Sequence, residues 1–325
     1  MIITFFGSGS LGTKLIHHLI NNYKKNYGLK KEWIINVITK EDKLANRGYK
    51  PKSTAIKEYL IKNNIVNDLN LIEVNSLKKL EENKKKEIKE LLINTDIAIV
   101  CDIGLIVPED FINLPKIFIN IHPSLLPFYR GPAPIEYALL NDDKITGITI
   151  CLLSKEIDAG KIIIQKIVKI ENEDNSFTLK NKIIGLIPAV FDNFFKMYIE
   201  NRIILTEQDE SFVTYTKKIN EQDFEIDLNE DTKLIHNKIR AFYPNAYIQN
   251  NSLRIKIQKS NYIHLNVIKD VKSIKYNPDI PFFKVINNRL FLINYKNQLL
   301  EILELQLPGK KSIKGIDFIN GYYKK

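Results

Sequence analysis

The sequence predicts an α/β protein in which a doubly wound, mostly parallel sheet is followed by a small β-barrel. Over residues 1–200, short apolar runs typical of strands alternate with longer segments of helical period, as in successive βαβ units. A polar, weakly periodic segment follows at 201–219, and residues 220–325 then hold short alternating runs punctuated by Pro and Asn, as in small barrels. We therefore predict two domains, at 1–200 and 220–325, joined by a linker at 201–219.

The alternating patterns predict seven strands and five helices in the first domain. The predicted strands are Ile2–Phe6, Trp33–Thr39, Leu69–Val74, Ile97–Cys101, Lys116–Ile121, Gly147–Leu153 and Lys161–Ile170. The predicted helices are Leu11–Lys24, Thr54–Asn63, Leu77–Ile93, Pro132–Leu140 and Ser176–Glu200. The short loop between the last two strands favours an antiparallel arrangement there. In the second domain, one helix is predicted at Thr232–Phe242, before the strand-like runs.

Charge is unevenly distributed along the chain. The whole sequence has a net charge of +10, yet Thr232–Lys325 alone holds 17 Lys and Arg against 5 Asp and Glu, which gives +12. A basic segment beside a near-neutral body favours a polyanionic partner, although a merely soluble basic surface would look the same.

Other bulk properties limit the classes of protein that the sequence can represent. No apolar stretch reaches the ~20 residues that span a bilayer, so no membrane association is expected. The N-terminus enters a strand-like run without an export signal, which favours the cytoplasm, or an organellar matrix if a leader was removed. Cys101 and Cys151 lie in apolar runs and are expected to be buried, reduced thiols. A monomer is the default expectation.

The first strand-to-helix turn is rich in glycine. Gly7, Gly9 and Gly12 have the G-x-G-x-x-G spacing of a dinucleotide-binding turn, and the acidic pair Glu41-Asp42 follows the next apolar run. The spacing alone predicts NAD binding only weakly, and solvated charge is an alternative interpretation of the acidic pair.

The candidate chemistry lies in the stretch FINIHPSLLPFYRGPAP, residues 118–134. Asn120 and His122 are two residues apart at the end of a strand, so their side chains share one side of it. On position alone, His122 could equally be a structural residue that caps a loop. A later loop, EIDAG, offers the carboxylate of Asp158. Together, the three side chains could supply an amide donor, an acid–base group and its orienting partner.

These residues stand in motifs that resemble the folate-dependent formyltransferases. The stretches NIHPSLLPFYRGPAPIEYAL and GITICLLSKEIDAGKII carry the resemblance. It implies a Rossmann-like formyltransferase domain followed by an OB-like barrel, with 10-formyltetrahydrofolate as donor. It implies no NAD, because the glycine-rich turn of this family holds no nicotinamide, and no metal. The implied catalytic residues are Asn120, His122 and Asp158. The implied folate contacts are Ser124, Leu125, Leu126, Pro127, Gly104, Leu105 and Ile106.

Three further stretches are similar to the family members that formylate initiator methionyl-tRNA. These stretches are ANRGYKPKSTAIKEY, KLIHNKIRAFYPNA and LELQLPGKKSIKGIDFING. By this resemblance, the first stretch meets the acceptor end of the tRNA and the basic second domain holds its phosphates. The implied tRNA contacts are Arg47, Lys50, Lys310, Lys311 and Lys314.

Two alternatives stay open at this point. An amino-sugar nucleotide formyltransferase would share the donor and the catalytic residues, but its small acceptor does not need a basic domain. A degenerate RNA-binding module would have lost catalysis, and convergence of the three candidate side chains in one place would speak against it. A glycinamide ribonucleotide formyltransferase is not favoured, because it would end near residue 200 and this sequence continues to residue 325.

Overall fold

The chain divides into two compact units in the computed structural model, which describes residues 1–24, 33–44, 51–250, 253–262, 274–276 and 281–323. Unit 1 comprises residues 1–134, 146–169 and 181–216, and unit 2 comprises residues 135–145, 170–180 and 217–325. Residues 201–216, expected to form a linker, therefore have their contacts mainly within unit 1. The domain boundaries taken from the sequence stay predictions.

Among the described residues, nine strands precede the long helix that begins at Ser176. They are β1 Ile2–Gly7, β2 Ile34–Lys40, β3 Lys43–Leu44, β4 Pro51–Lys52, β5 Asn70–Val74, β6 Ile97–Cys101, β7 Ile117–His122, β8 Ile145–Leu152 and β9 Ile162–Lys169. Seven of them form one sheet in the order β5-β2-β1-β6-β7-β8-β9, while β3 and β4 pair separately. All seven predicted strands occur, each within two residues of its predicted ends.

The sheet winds in both directions from β1. Strands β5, β2, β1, β6 and β7 are parallel, whereas β8 runs antiparallel to β7. The central strands are buried on both faces and consist largely of Ile, Val and Phe, as parallel strands covered by helices require. The predicted doubly wound α/β fold is confirmed.

Six α-helices occur in the described portion of the first 200 residues. They are α1 Ser10–His18, α2 Ala55–Lys62, α3 Glu82–Ile93, α4 Glu109–Ile112, α5 Pro134–Leu140 and α6 Ser176–Ile199. A π-helical turn, Leu19–Lys24, continues α1. Helix α3 begins five residues later than predicted, because Leu77 is buried in the apolar cluster around Phe6 and Glu81 has extended backbone angles. None of the helices among the described residues is long and apolar enough to cross a membrane.

The glycine-rich turn between β1 and α1 packs closely against the end of β6. A Cβ atom on Gly7 or on Gly12 would lie 2.9 Å from the carbonyl oxygen of Cys101. The backbone N–H groups of Ser8 and Gly9 both donate to the carbonyl oxygen of Asp102, at 3.1 and 3.0 Å. The glycines therefore have a structural role, which is the close approach of two chain segments.

Unit 2 is built around a second, antiparallel sheet. Its remaining elements are α7 Thr232–Ala241, β10 Tyr247–Asn250, β11 Leu253–Asn261, β12 Ile274–Tyr276, β13 Phe283–Ile286, β14 Arg289–Ile293, β15 Leu299–Gln306, β16 Ile313–Lys314 and α8 Gly315–Tyr322. The strand order is β10-β11-β15-β14-β13-β12, with β16 paired to β15. Helix α7 packs on β11, and α8 packs on β14 and β15. The predicted antiparallel β domain is confirmed, whereas α8 was not predicted.

Candidate active site

The candidate site is built at the carboxyl end of β7. Asn120 and His122 alternate with apolar residues along this strand, and both side chains are buried. Opposite them, the loop between β8 and β9 places Asp158 with a φ of +54°, in the left-handed region that non-glycine residues rarely adopt. A buried strand end and a constrained loop thus bring together the three predicted side chains.

The Asp158 carboxylate is the centre of this arrangement. Its Oδ1 accepts a hydrogen bond from Asn120 Nδ2 at 2.8 Å, and its Oδ2 accepts one from the backbone N–H of Gly131 at 2.8 Å. His122 Nδ1 lies 3.5 Å from Oδ2. His122 Nε2 lies 2.9 Å from the carbonyl oxygen of Tyr129, and because a carbonyl only accepts, this nitrogen carries a proton. Both ring nitrogens therefore face oxygen atoms, Nε2 that of the Tyr129 carbonyl and Nδ1 that of the Asp158 carboxylate.

The segment that follows β7 is held by residues 208–216. Arg130 is fully buried, its backbone N–H donates to Thr214 O at 2.9 Å, and its carbonyl accepts from Thr216 N at 2.8 Å. Its guanidinium donates to Gln208 Oε1 and to the carboxylate of Glu210. Sequence reasoning missed Gln208 and Glu210, since they lie about fifty residues beyond the Asp158 loop and belong to no recognisable local motif.

The two cysteines are buried free thiols, as predicted. Cys151 Sγ lies 3.8 Å from the carbonyl oxygen of Asn120, beneath the site. Burial, together with the negative charge of Asp158, raises the pKa of the Cys151 thiol far above its ordinary value. A thiol in this state is inert, so Cys151 has no nucleophilic part in the chemistry.

The predicted folate turn, residues 124–127, has a buried side and an accessible side. The Ser124 hydroxyl is fully buried and donates to the carbonyl oxygen of Phe128 at 2.6 Å, so it shapes the turn. Leu126 is also buried, and its carbonyl accepts a hydrogen bond from Gln165 Nε2 at 2.8 Å. Leu125 and Pro127 are half-buried. The parts of this turn within reach of a ligand are therefore these two side chains.

The second predicted folate segment, residues 104–106, follows β6. Gly104 has a φ of +59°, which favours glycine. Leu105 packs against the apolar cluster of unit 1, whereas Ile106 is 57% exposed. Ile106 is thus the side chain of this segment that a ligand could cover.

The predicted tRNA contacts fall into two groups. Arg47 and Lys50 lie outside the described residues. Lys310, Lys311 and Lys314, around the turn between β15 and β16, are exposed. The acidic pair after β2 is not simply solvated: Asp42 accepts from Lys57 Nζ at 2.9 Å, and Glu41 accepts from the side-chain amide of Asn75.

No group of His, Cys, Asp or Glu side chains suited to holding a metal ion occurs in the part of the chain that the structure describes. The site brings an amide, an imidazole and a carboxylate into mutual contact. Such a set can donate to an oxyanion and move a proton. Within a doubly wound α/β domain, it suits an enzyme that acts on a carbonyl carbon.

Comparison with known proteins identifies the group to which this enzyme belongs. Residues 1–190 match the formyl transferase family and residues 218–323 match its C-terminal domain, so the chain belongs to that family and is a formyltransferase. The methionyl-tRNA formyltransferase of Ehrlichia ruminantium (strain Gardel) is 34% identical over 99% of this chain and 97% of its own length. That of Staphylococcus epidermidis (strain ATCC 12228 / FDA PCI 1200) is 30% identical over 98% and 96%. The resemblance inferred from the motifs is confirmed.

Solved structures with this fold include enzymes that act on sugars. A sugar 3N-formyl transferase, crystallised in the presence of dTDP and 5-N-formyl-THF, superposes with a TM-score of 0.63 at 19% identity, covering 96% of this chain and 99% of its own. The N-formyltransferase of Helicobacter canadensis, in complex with folinic acid and dTDP-3-aminofucose, has a TM-score of 0.62 at 21% identity, covering 93% and 99%. At these identities the likeness shows the shared fold.

Proposed function

We propose that this enzyme transfers the formyl group of 10-formyltetrahydrofolate to the α-amine of initiator methionyl-tRNA. The observation that carries the proposal is the contact of Asn120, His122 and Asp158 at the end of β7. The near full-length similarity to methionyl-tRNA formyltransferases supports the choice of acceptor. The cytoplasmic setting and the monomeric state are part of the same proposal.

The reaction exchanges one C–N bond for another. The neutral α-amine attacks the formyl carbon, the C–N bond to folate N10 breaks, and the proton lost by the amine ends on N10. An α-amine titrates near ~7.7–8.0, so a useful fraction is neutral at physiological pH. Negative charge develops on the formyl oxygen during the attack, and the Asn120 amide would stabilise it with its second N–H, because the first is bound to Asp158.

His122 would act in proton transfer through Nδ1. Its other nitrogen, Nε2, is engaged by the carbonyl of Tyr129, which leaves Nδ1 as the nitrogen that can take up and release a proton. Asp158 Oδ2, 3.5 Å away, would stabilise the positive charge that the ring gains when Nδ1 takes up that proton, and both side chains are largely shielded from water. Low solvent exposure strengthens this interaction relative to the same pair at the surface.

The donor would bind along the two short segments that border the site. Leu125, Pro127 and Ile106 offer apolar contact to a flat heteroaromatic ring. The fit rests on the division of residues 124–127 into a buried, hydrogen-bonded side and an accessible side. The resemblance assigns the same segments to the folate.

The acceptor tRNA would be held by charge and positioned by the segment that contains Arg47 and Lys50. Exposed lysines on unit 2, together with the net charge of +12 over Thr232–Lys325, suit contacts with phosphates. Such contacts orient a nucleic acid without reading its sequence. A small sugar nucleotide would not require them.

The direct test is formyl transfer from 10-formyltetrahydrofolate to charged initiator methionyl-tRNA, compared with transfer to a dTDP-amino sugar. We expect rapid transfer to the tRNA that weakens as salt is raised, and little transfer to the sugar. Efficient transfer to the sugar, with none to the tRNA, would establish the amino-sugar alternative. Folate binding without transfer to either acceptor would contradict both.

A further inference from the structure

Gln208 uses its whole side-chain amide inside the protein. Its Nε2 donates to the carbonyl oxygens of Asp158 and Gly160, at 2.7 and 2.8 Å. Its Oε1 accepts from Nε and Nη2 of Arg130, at 3.0 and 2.9 Å. With two donors and two acceptor positions in use, the buried amide is fully satisfied. One side chain thereby joins the loop of Asp158 to the segment that follows β7.

The loop that Gln208 holds has a backbone that needs support. Asp158 has a φ of +54°, a conformation that costs a non-glycine residue free energy and persists only where its surroundings impose it. Gln208 Nε2 donates to the carbonyl of Asp158 itself and to that of Gly160, two residues further along the loop. Fixing these two carbonyls fixes the direction in which the Asp158 carboxylate points.

The other end of the same connection reaches the carboxylate itself. Arg130 precedes Gly131, whose N–H donates to Asp158 Oδ2 at 2.8 Å. The buried guanidinium of Arg130 is anchored by Gln208 Oε1 and by Glu210 Oε1, the latter at 2.7 Å. Backbone and carboxylate of Asp158 are therefore held by one set of hydrogen bonds that passes through Gln208.

We propose that Gln208 is a positioning residue for formyl transfer, which holds Asp158 against His122 and does not itself touch substrate. The inference rests on the proposed function for its kinetic consequence. A displacement of about 1 Å in a reacting group typically costs on the order of 10²-fold in rate. Loss of the two donors of Gln208 should therefore lower kcat by roughly 10- to 100-fold while KM for both substrates stays within about twofold.

Two substitutions distinguish a role of Gln208 in positioning Asp158 from a role in binding Arg130 alone. Gln208→Glu retains an oxygen for the Arg130 guanidinium but has no donor for the carbonyls of Asp158 and Gly160. Gln208→Met retains the length of the side chain and removes both the donors and the acceptor. We expect kcat to fall in both variants and the melting temperature to fall mainly in Gln208→Met. Near wild-type kcat in Gln208→Glu would mean that Gln208 only supports Arg130.

The kinetic test is completed by combining Gln208→Glu with Asp158→Asn. If Gln208 acts through Asp158, Gln208→Glu lowers kcat in the wild-type background but does not lower it further in the Asp158→Asn background. Additive losses in the double variant would show an action independent of Asp158.

Glu210→Gln and Glu207→Gln form a matched pair, because both carboxylates are over 70% exposed. Glu210 contacts Arg130, whereas Glu207 contacts Lys161. We expect a moderate loss of kcat for the first and none for the second.

A measurement without substrates keeps this inference separate from the proposed function. The ¹⁵N resonances of the His122 ring, assigned with His122→Ala, report whether a carboxylate faces Nδ1. We expect Gln208→Glu to move them toward their positions in Asp158→Asn, in the full-length folded protein. Unchanged ring resonances with unchanged kcat would overturn the inference. A wild-type enzyme inactive on methionyl-tRNA would contradict the proposed function alone, since the resonances would still decide the role of Gln208.

Discussion

In unit 1 the side chains proposed for chemistry are buried or nearly so and contact one another, whereas in unit 2 those proposed to bind a polyanion are exposed. Asn120, His122 and Asp158 are linked by contacts of 2.8 to 3.5 Å. Lys310, Lys311 and Lys314 stand on a surface turn. Catalysis needs groups at fixed positions, and electrostatic attraction needs only charge near the ligand. Substitutions in the two units should therefore change different kinetic quantities.

The largest effect is expected from His122→Ala. Removing the imidazole takes away the group proposed for proton transfer and leaves the Asp158 carboxylate without its neighbour, so kcat should fall by roughly 10²- to 10³-fold. The measurement is single-turnover formyl transfer at saturating donor and acceptor. His17→Ala is the matched control, because His17 is an exposed histidine on α1, and it should retain full activity. Equal losses in both variants would mean that the effect comes from misfolding.

A smaller effect, on KM alone, should follow the joint change of Lys310, Lys311 and Lys314 to Ala. We expect KM for tRNA to rise about tenfold at low salt, and the slope of log(kcat/KM) against log[salt] to fall by roughly one for each phosphate that the lysines no longer neutralise. The control changes Lys78, Lys79 and Lys86, three exposed lysines beside or within α3, to Ala. The same loss of charge there should leave KM unchanged. If the two triple variants behave alike, net charge rather than this turn attracts the tRNA.

Gln165→Met tests whether the predicted folate turn, residues 124–127, must be held in place for the donor to bind. Gln165 Nε2 donates to the carbonyl of Leu126 at 2.8 Å and to Thr149 Oγ1 at 3.0 Å. A typical hydrogen bond within a protein contributes about 1 kcal/mol, so KM for the donor should rise about fivefold while KM for tRNA is unchanged. Binding of folate measured by calorimetry would check this. A fall in kcat with an unchanged donor KM would instead place Gln165 with the catalytic residues.

The smallest effect concerns stability in unit 2. Asp142 accepts from Lys144 and Lys233, both at 2.8 Å. Burial would raise the pKa of Asp142, but these hydrogen bonds outweigh it and hold the pKa below its ordinary value. A lowered carboxyl pKa stabilises the fold above the unfolded pKa of about 3.9, and this contribution is lost as pH falls through the folded value. Asp142→Asn should cost on the order of 1 kcal/mol in unfolding free energy at pH 7.

Denaturant unfolding at two pH values checks the sign of this effect. The difference between Asp142→Asn and wild type should be present at pH 7 and should shrink as pH falls below about 3.9 and through the lowered folded pKa of Asp142. A difference that persists at low pH would show that the loss comes from packing rather than from charge.

The elements that sequence patterns located well are those whose periodicity follows burial. Strands such as β6 and β7 are short, apolar and bounded by polar residues, and both were predicted within one residue of their ends. Helix α8 was not predicted, because glycines near both of its ends, Gly315 and Gly321, argue locally against a helix. Packing of Phe318 in the core outweighs that local preference.

The candidate site was predictable only where its residues lie in a recognisable motif. Asn120 and His122 share one strand, and Asp158 lies in a family motif. Gln208 comes from a polar segment with weak periodicity, and its importance depends on a fold that brings it to the Asp158 loop. Hydrogen bonds between residues distant in sequence leave no spacing to recognise.

The glycine-rich turn after β1 has a consequence for searches that rely on motif spacing. An anion bound at such a turn is held by N–H groups, and here two of them, from Ser8 and Gly9, already donate to the carbonyl of Asp102. A search for the spacing detects the glycines but does not detect this internal acceptor, because the acceptor lies at the end of a different strand. The neighbouring strand decides whether the N–H groups of such a turn are free for a ligand or already bound within the protein. A search for cofactor sites that also examined the neighbouring strand would therefore distinguish nucleotide-binding turns from structural ones more accurately.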